Sequence, residues 1–313
     1  MKWLSVTVLL LGCIACLPDE SLALDGFKKY VSAHSISALR HKRMIGGSLT
    51  APVPWQAMVF LSENILDGGF AGGALIAERW ILTAGRNLFV GKSKNQTSGK
   101  EPLIPKVYLG ISKRSHANTS TEVAVERVFV HPDFQNTSDW DNDLALIKLK
   151  EPVIFTESIM PIPLPEIGDN QEEKEGERGI IAGWGWGSGF TPAPILKFLS
   201  LHIQSCQGEY WAKVLSSTPT VNEKQFCTGP SEYQENVCFG DAGGAFVFLN
   251  PDTNKVYAAG ILSFDKACSV EDQAVYTKIS AYLPWIHSVM RGDSQEFSER
   301  RASMIKQMLS KKK

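Results

Sequence analysis

After Ala23, the 313-residue chain holds no apolar run long enough to cross a bilayer. Net charge is also nearly absent, since 32 Lys and Arg face 33 Asp and Glu for a formal charge of −1. That balance gives no electrostatic reason to expect nucleic acid or a membrane as partner. There is no internal repeat, and helical periodicity is scarce. Nothing in the chain asks for a metal or a cofactor. Cys13 and Cys16 form a C-x-x-C, but inside an apolar run, where they are small-residue filler rather than a redox or metal motif. Chain-wide disorder is excluded by 43% hydrophobic and 10% aromatic residues.

What is present begins with a leader. Lys2 precedes an apolar stretch from Trp3 to about Ala15, which Pro18, Asp19 and Glu20 end. Residues 1–23 therefore read as a signal peptide, cut after Ala15, Cys16 or Ala23, and the chain is expected to be secreted. In that oxidising setting Cys206, Cys227, Cys238 and Cys268 are expected to form two disulfides, with three pairings open. Sequons at Asn95, Asn118 and Asn136 lie in polar, turn-rich text suited to glycans.

Residues 24–43 form a short basic pro-segment ending Arg40-His41-Lys42-Arg43. Clustered cations suit a processing protease cutting between Arg43 and Met44; a solvated basic linker is the plainer alternative. From 44 to 290 the text is all-β. Short runs rich in β-formers, such as Ala57–Leu61, Val107–Leu109, Leu144–Leu149 and Tyr257–Leu262, are separated by Gly, Pro, Asn and Ser. Ser280–Met290 reads as a helix with Leu283, Ile286 and Met290 on one face. The tail, 291–313, is basic and ends in Lys311-Lys312-Lys313. It is either a frayed terminus or an amphipathic, polyanion-binding element.

Several segments together resemble the chymotrypsin-like serine proteases. Gly72-Gly73-Ala74-Leu75-Ile76 and Trp80-Ile81-Leu82-Thr83-Ala84-Gly85-Arg86-Asn87 match the region of the catalytic histidine. Asp141-Asn142-Asp143-Leu144-Ala145-Leu146 matches that of the aspartate, and Gly240-Asp241-Ala242-Gly243-Gly244 that of the nucleophile. The resemblance implies a double six-stranded β-barrel with a C-terminal helix. The chemistry needs a hydroxyl, an imidazole and a carboxylate in line. Asp143 is retained, but Arg86 stands at the histidine position and Ala242 at the serine position. A guanidinium stays protonated and cannot act as a base. Loss of either group costs on the order of 10⁶ in turnover. An Arg86–Asp143 ion pair is expected in place of the triad.

The family pattern also implies that Asn236, Asp265 and Ala274 degrade the specificity pocket, and that Ala71 and Asn87 mark a lost disulfide. It implies pairs Cys206–Cys227 and Cys238–Cys268, and an activation pocket at Asp241 for a new terminus at Met44. The plainer role for Asp241 is to support its own turn.

Within this fold, Ser231-Glu232-Tyr233-Gln234-Glu235-Asn236-Val237-Cys238-Phe239-Gly240-Asp241-Ala242 and Gly260-Ile261-Leu262-Ser263-Phe264-Asp265-Lys266-Ala267-Cys268 resemble the haptoglobin family. That resemblance implies a non-catalytic, antioxidant role through binding of haemoglobin αβ dimers. Phe239, Phe264, Asp265 and Lys266 are the candidate contacts on the old active-site face. A pseudoprotease that binds a receptor or a polyanion is the alternative. The position of the family's interchain cysteine is Pro163, so a disulfide-linked second chain is not expected.

Overall fold

The computed structural model describes residues 48–49, 52–63, 69–166, 173–187, 191–206, 221–232, 235–249, 256–265, 268 and 272–292. The leader, the Arg43–Met44 bond, Lys266 and the tail beyond 292 lie outside the described residues.

A two-residue strand, β1 (Ser48–Leu49), opens the described chain. It is followed by β2 (Gln56–Phe60), β3 (Phe70–Ala77), β4 (Trp80–Thr83), β5 (Lys106–Tyr108), β6 (Glu122–Val123), β7 (Val125–Val130) and β8 (Ala145–Leu149). Strands β2 to β8 pair antiparallel in the order β6-β5-β2-β3-β4-β8-β7. The seven strands make a six-stranded barrel because β6 and β7 are one strand broken at Ala124. The carbonyl of Ala124 accepts from the Lys150 amide at 2.8 Å. On either side of the break the strand pairs with β5 and with β8, which closes the sheet and leaves no free edge.

The second barrel comprises β9 (Arg178–Gly183), β10 (Lys197–Gln204), β11 (Gln225–Thr228), β12 (Ala245–Leu249), β13 (Val256–Asp265) and β14 (Ala274–Lys278). The order is β10-β11-β14-β13-β12-β9, and a β9–β10 pairing closes it; β1 adds to β10 as a seventh strand.

Period-two burial shows why these segments are strands. In β10, Lys197, Leu199, Leu201 and Ile203 face inward and alternate with more exposed neighbours. Phe226, Phe246 and Tyr276 meet in the second core, with ring centroids 5.0–5.6 Å apart. Burying each such ring contributes roughly 1.5–3 kcal/mol, and Phe246→Ala would cost roughly 3–5 kcal/mol. The C-terminal element is a 3-10 turn, Ser280–Tyr282, leading into a helix over 283–292. Pro284 is accommodated in its first turn, where no intrahelical N–H is required. Leu283 and Ile286 are buried in the larger core, which spans both barrels.

Candidate functional site

The site lies where the barrels meet. Strand β4 is wholly buried and runs into a 3-10 turn, Gly85–Leu88. Gly85 sits against Leu144, where a Cβ would come within 3.1 Å of the Leu144 carbonyl. The turn thus brings Arg86 onto Asp143, at the entrance to β8.

Asp143 is fully buried. Its Oδ1 accepts from the Arg86 backbone amide at 2.7 Å, and its Oδ2 accepts from the Ser263 hydroxyl at 2.6 Å. Thr277 Oγ1 donates to the Asp143 carbonyl at 3.2 Å. The Arg86 guanidinium approaches the same carboxylate, with Nε 3.9 Å from Oδ2. Burial pushes the Asp143 carboxyl up; the Arg86 charge and the Ser263 hydrogen bond oppose that. Arg86 also lies over the Trp140 ring, 4.9 Å from its centroid, a cation–π contact worth roughly 0.5–2 kcal/mol.

The loop presenting Trp140 is unusual. Gln135, Trp140 and Asn142 all have positive φ, at 56°, 63° and 50°. Such conformations persist for non-glycine residues only where neighbours enforce them. Here Asn142 Nδ2 donates to the Asp133 carbonyl at 3.0 Å, and the Tyr282 hydroxyl donates to Asn142 Oδ1 at 3.0 Å. Lys92, likewise at φ 57°, has its carbonyl held by Gln135 Nε2 at 2.8 Å. Burial, with the Arg86 charge beside it, lowers the Lys92 ammonium to about 8.

Ala242 completes the arrangement from the second barrel and is 8% exposed. Its carbonyl accepts from the Gly72 amide and from Asn87 Nδ2, both at 2.9 Å. Gly243 has φ 91°, and a Cβ there would overlap Gly72 and Thr83. A Cβ on Gly72 would lie 2.6 Å from the Gly244 amide. The two barrels therefore touch backbone to backbone at this loop. Asp241 accepts from the Gly185 amide at Oδ1 (2.7 Å) and from the Cys238 amide at Oδ2 (3.0 Å). It lines a cleft of about 340 Å³, including its open mouth, with Gly183, Lys197, Asn236 and others.

Arg86, Asp143 and Ala242 thus come together. The site holds a buried carboxylate, a fixed cation and a methyl group. Proton abstraction at Arg86 would need a neutral base, which a guanidinium does not provide. Phe239 is 55% exposed and meets the Trp186 ring edge-on at 6.0 Å. Phe264 differs: it is 5% exposed and packs with Cys227 and Val275 in a small cluster on the Trp140 side of the sheet, apart from the Phe226–Phe246–Tyr276 core. For Asp265 only the backbone, the last residue of β13, is described. Two disulfides, Cys206–Cys227 and Cys238–Cys268, tie the second barrel, the first joining the end of β10 to β11 and the second joining the loop before Ala242 to the chain after β13, each worth roughly 2–4 kcal/mol. Asn95, Asn118 and Asn136 are exposed.

Sequence reasoning did not single out Lys92, Trp140 or Ser263. Ser263 could have been found from its place one residue before Phe264 in the β13 run. Lys92 and Trp140 carry no local signal, because only loop geometry brings them to Arg86.

The trypsin family model matches residues 45–286. Dog haptoglobin is 34% identical over 267 residues, covering 80% of this chain and 75% of the relative. Bovine haptoglobin is 35% identical over 264 residues, covering 80% of this chain but only 61% of the relative. Human haptoglobin-related protein is 34% identical over 264 residues, covering 80% and 70%. The chain belongs to the haptoglobin branch of the trypsin family. Within that branch it is a serine protease homologue. No helix among the described residues is long and apolar enough to cross a membrane.

Proposed function

We propose that this is a secreted, non-catalytic protein that captures free haemoglobin as αβ dimers and so limits haem-driven oxidation. The observation that carries the reading is the rebuilt triad. Arg86 is fixed between Trp140 and the buried Asp143, and the serine position ends in a methyl group. Such a site has neither an imidazole base nor a hydroxyl nucleophile at these positions, while the Arg86, Ala242 and Asp241 bonds hold its backbone. A rigid loop set without chemistry is suited to binding, because little ordering cost accompanies association. Membership of the haptoglobin branch supplies the partner. On this reading Phe239 is the exposed aromatic anchor beside the old cleft. The leader supports secretion, and the three exposed sequon asparagines support glycosylation.

The test is a titration of the purified secreted protein with haemoglobin from the same source, followed by size exclusion and calorimetry. A tight complex with one αβ dimer per chain is expected. A folded, monodisperse protein that leaves haemoglobin unbound at micromolar concentration overturns the reading.

A further inference from the structure

Lys197 is the one charged residue on the inward face of β10, in a row otherwise formed by Leu199, Leu201 and Ile203. It is 8% exposed. A buried ammonium is retained only where negative charge and hydrogen-bond acceptors compensate its lost hydration. Lys197 lines the same cleft as Asp241, together with Gly183, Gly185 and Asn236. Its backbone pairs with Gly183 on one side and with Leu49 of β1 on the other, so the chain enters the described fold beside it. Asp241 precedes Ala242, and its two oxygens gather the amides of Gly185 and Cys238. A Cβ on Gly183 or Gly185 would overlap that carboxylate, so its position is enforced from both sides.

We propose that Lys197 supplies, from within the chain, the positive charge of the Asp241 cleft, so that the loop carrying Phe239 and Ala242 is set before any cut after Arg43. The cleft then has an internal cation, and a new amino terminus at Met44 is not needed to shape the loop. The electrostatics agree: burial lowers the Lys197 ammonium, and the carboxylates of Asp241 and Glu235 act against that fall. The inference concerns loop shape and does not depend on haemoglobin being the partner.

The experiment compares amide hydrogen exchange over 183–187 and 238–244 in three proteins: the chain cut after Arg43, the uncut Arg43→Gln chain, and uncut Arg43→Gln with Lys197→Met. Cut and uncut chains should agree within about twofold at these amides. Lys197→Met should raise exchange there about tenfold or more, while strands β12 to β14 keep their protection. Uncut protein exchanging about tenfold faster than cut protein would overturn the proposal, as would a Lys197→Met chain with unchanged protection. If Lys197→Met does not fold, the cut-against-uncut comparison decides alone.

Discussion

Asn87 in the first barrel donates through Nδ2 to the carbonyl of Ala242 in the second, 155 residues further along, at 2.9 Å. Asn87 is 2% exposed, and its Nδ2 also faces Thr83 Oγ1 at 3.5 Å. Where the wider protease family is expected to carry a cysteine, this chain has a polar tie across the barrel interface. Asn87→Ala should cost about 0.5–1.5 kcal/mol, since it deletes a buried hydrogen bond while Gly72 still serves the carbonyl. Urea denaturation would measure this. A midpoint unchanged from wild type would show that the tie contributes nothing.

Arg86 is expected to stabilise the fold through Asp143. Arg86→Met removes the nearest cation from a fully buried carboxylate and should destabilise the protein by about 1–3 kcal/mol at pH 7. The sign with pH follows from burial. The Asp143 carboxyl is already raised, and without Arg86 it rises further, so the variant gains stability relative to wild type as pH falls and the group takes up its proton. Thermal melts of both proteins from pH 7 to pH 4 should converge.

Lys92 works against stability at neutral pH. Its ammonium is held at about 8 against an ordinary value of 10.5, so the folded state binds its proton more weakly than the unfolded chain. The resulting cost is complete below about pH 8 and fades between 8 and 10.5, as the folded state sheds the proton first. Lys92→Met should therefore stabilise the protein at pH 7, by on the order of 1–2 kcal/mol for a half-buried group. The gain should shrink toward pH 10. Removing Arg86 as well should reduce it, because the Arg86 charge is part of the cause.

His131 has the same pH sense, but in a lower range. Its ring packs against Tyr282 and Trp285, with centroids 5.2 and 5.0 Å away, and Nδ1 accepts from the Asp133 amide at 3.2 Å. Burial lowers the imidazole below 6.5; Lys224 adds to the fall, and Asp133 and Asp141 oppose it. The contribution is complete above pH 6.5 and is lost as pH falls, when the unfolded chain takes up the proton first. Melting temperature should drop between pH 6.5 and 5 more steeply in wild type than in His131→Phe. Parallel slopes would argue against this.

Much of the fold was legible in the sequence because its signals are local. The alternation in β10 and the buried run of β8 are written in consecutive residues, as is the helical spacing after Ser280. The family motifs carried the rest, including the positions of Arg86, Asp143 and Ala242. What escaped was long-range. Trp140 reaches Arg86 only because three residues of one loop adopt left-handed conformations, and side-chain identity does not announce that for Trp or Gln. The division between Phe239 and Phe264 also needed the structure. Both are aromatic, but one sits exposed in a turn and the other is covered by Cys227 and Val275. Lys197 reads in sequence as an ordinary polar strand residue until the barrel closes around it.

The bonds at Asp143 set its side chain apart from those of Arg86 and Ala242. At 86 and 242 the ties between the barrels run through main-chain atoms, the Arg86 amide to Asp143 and the Ala242 carbonyl from Gly72 and Asn87, so a change of side chain there leaves them in place. The aspartate is placed differently. It takes one hydrogen bond from the Arg86 amide in the first barrel and another from the Ser263 hydroxyl in the second, with no exposure to solvent. Deleting its carboxylate would strand donors on both halves of the molecule at once. The Asp143 carboxylate thus serves as a rivet between two barrels, an architectural duty that needs no chemistry at the site to hold the residue in place.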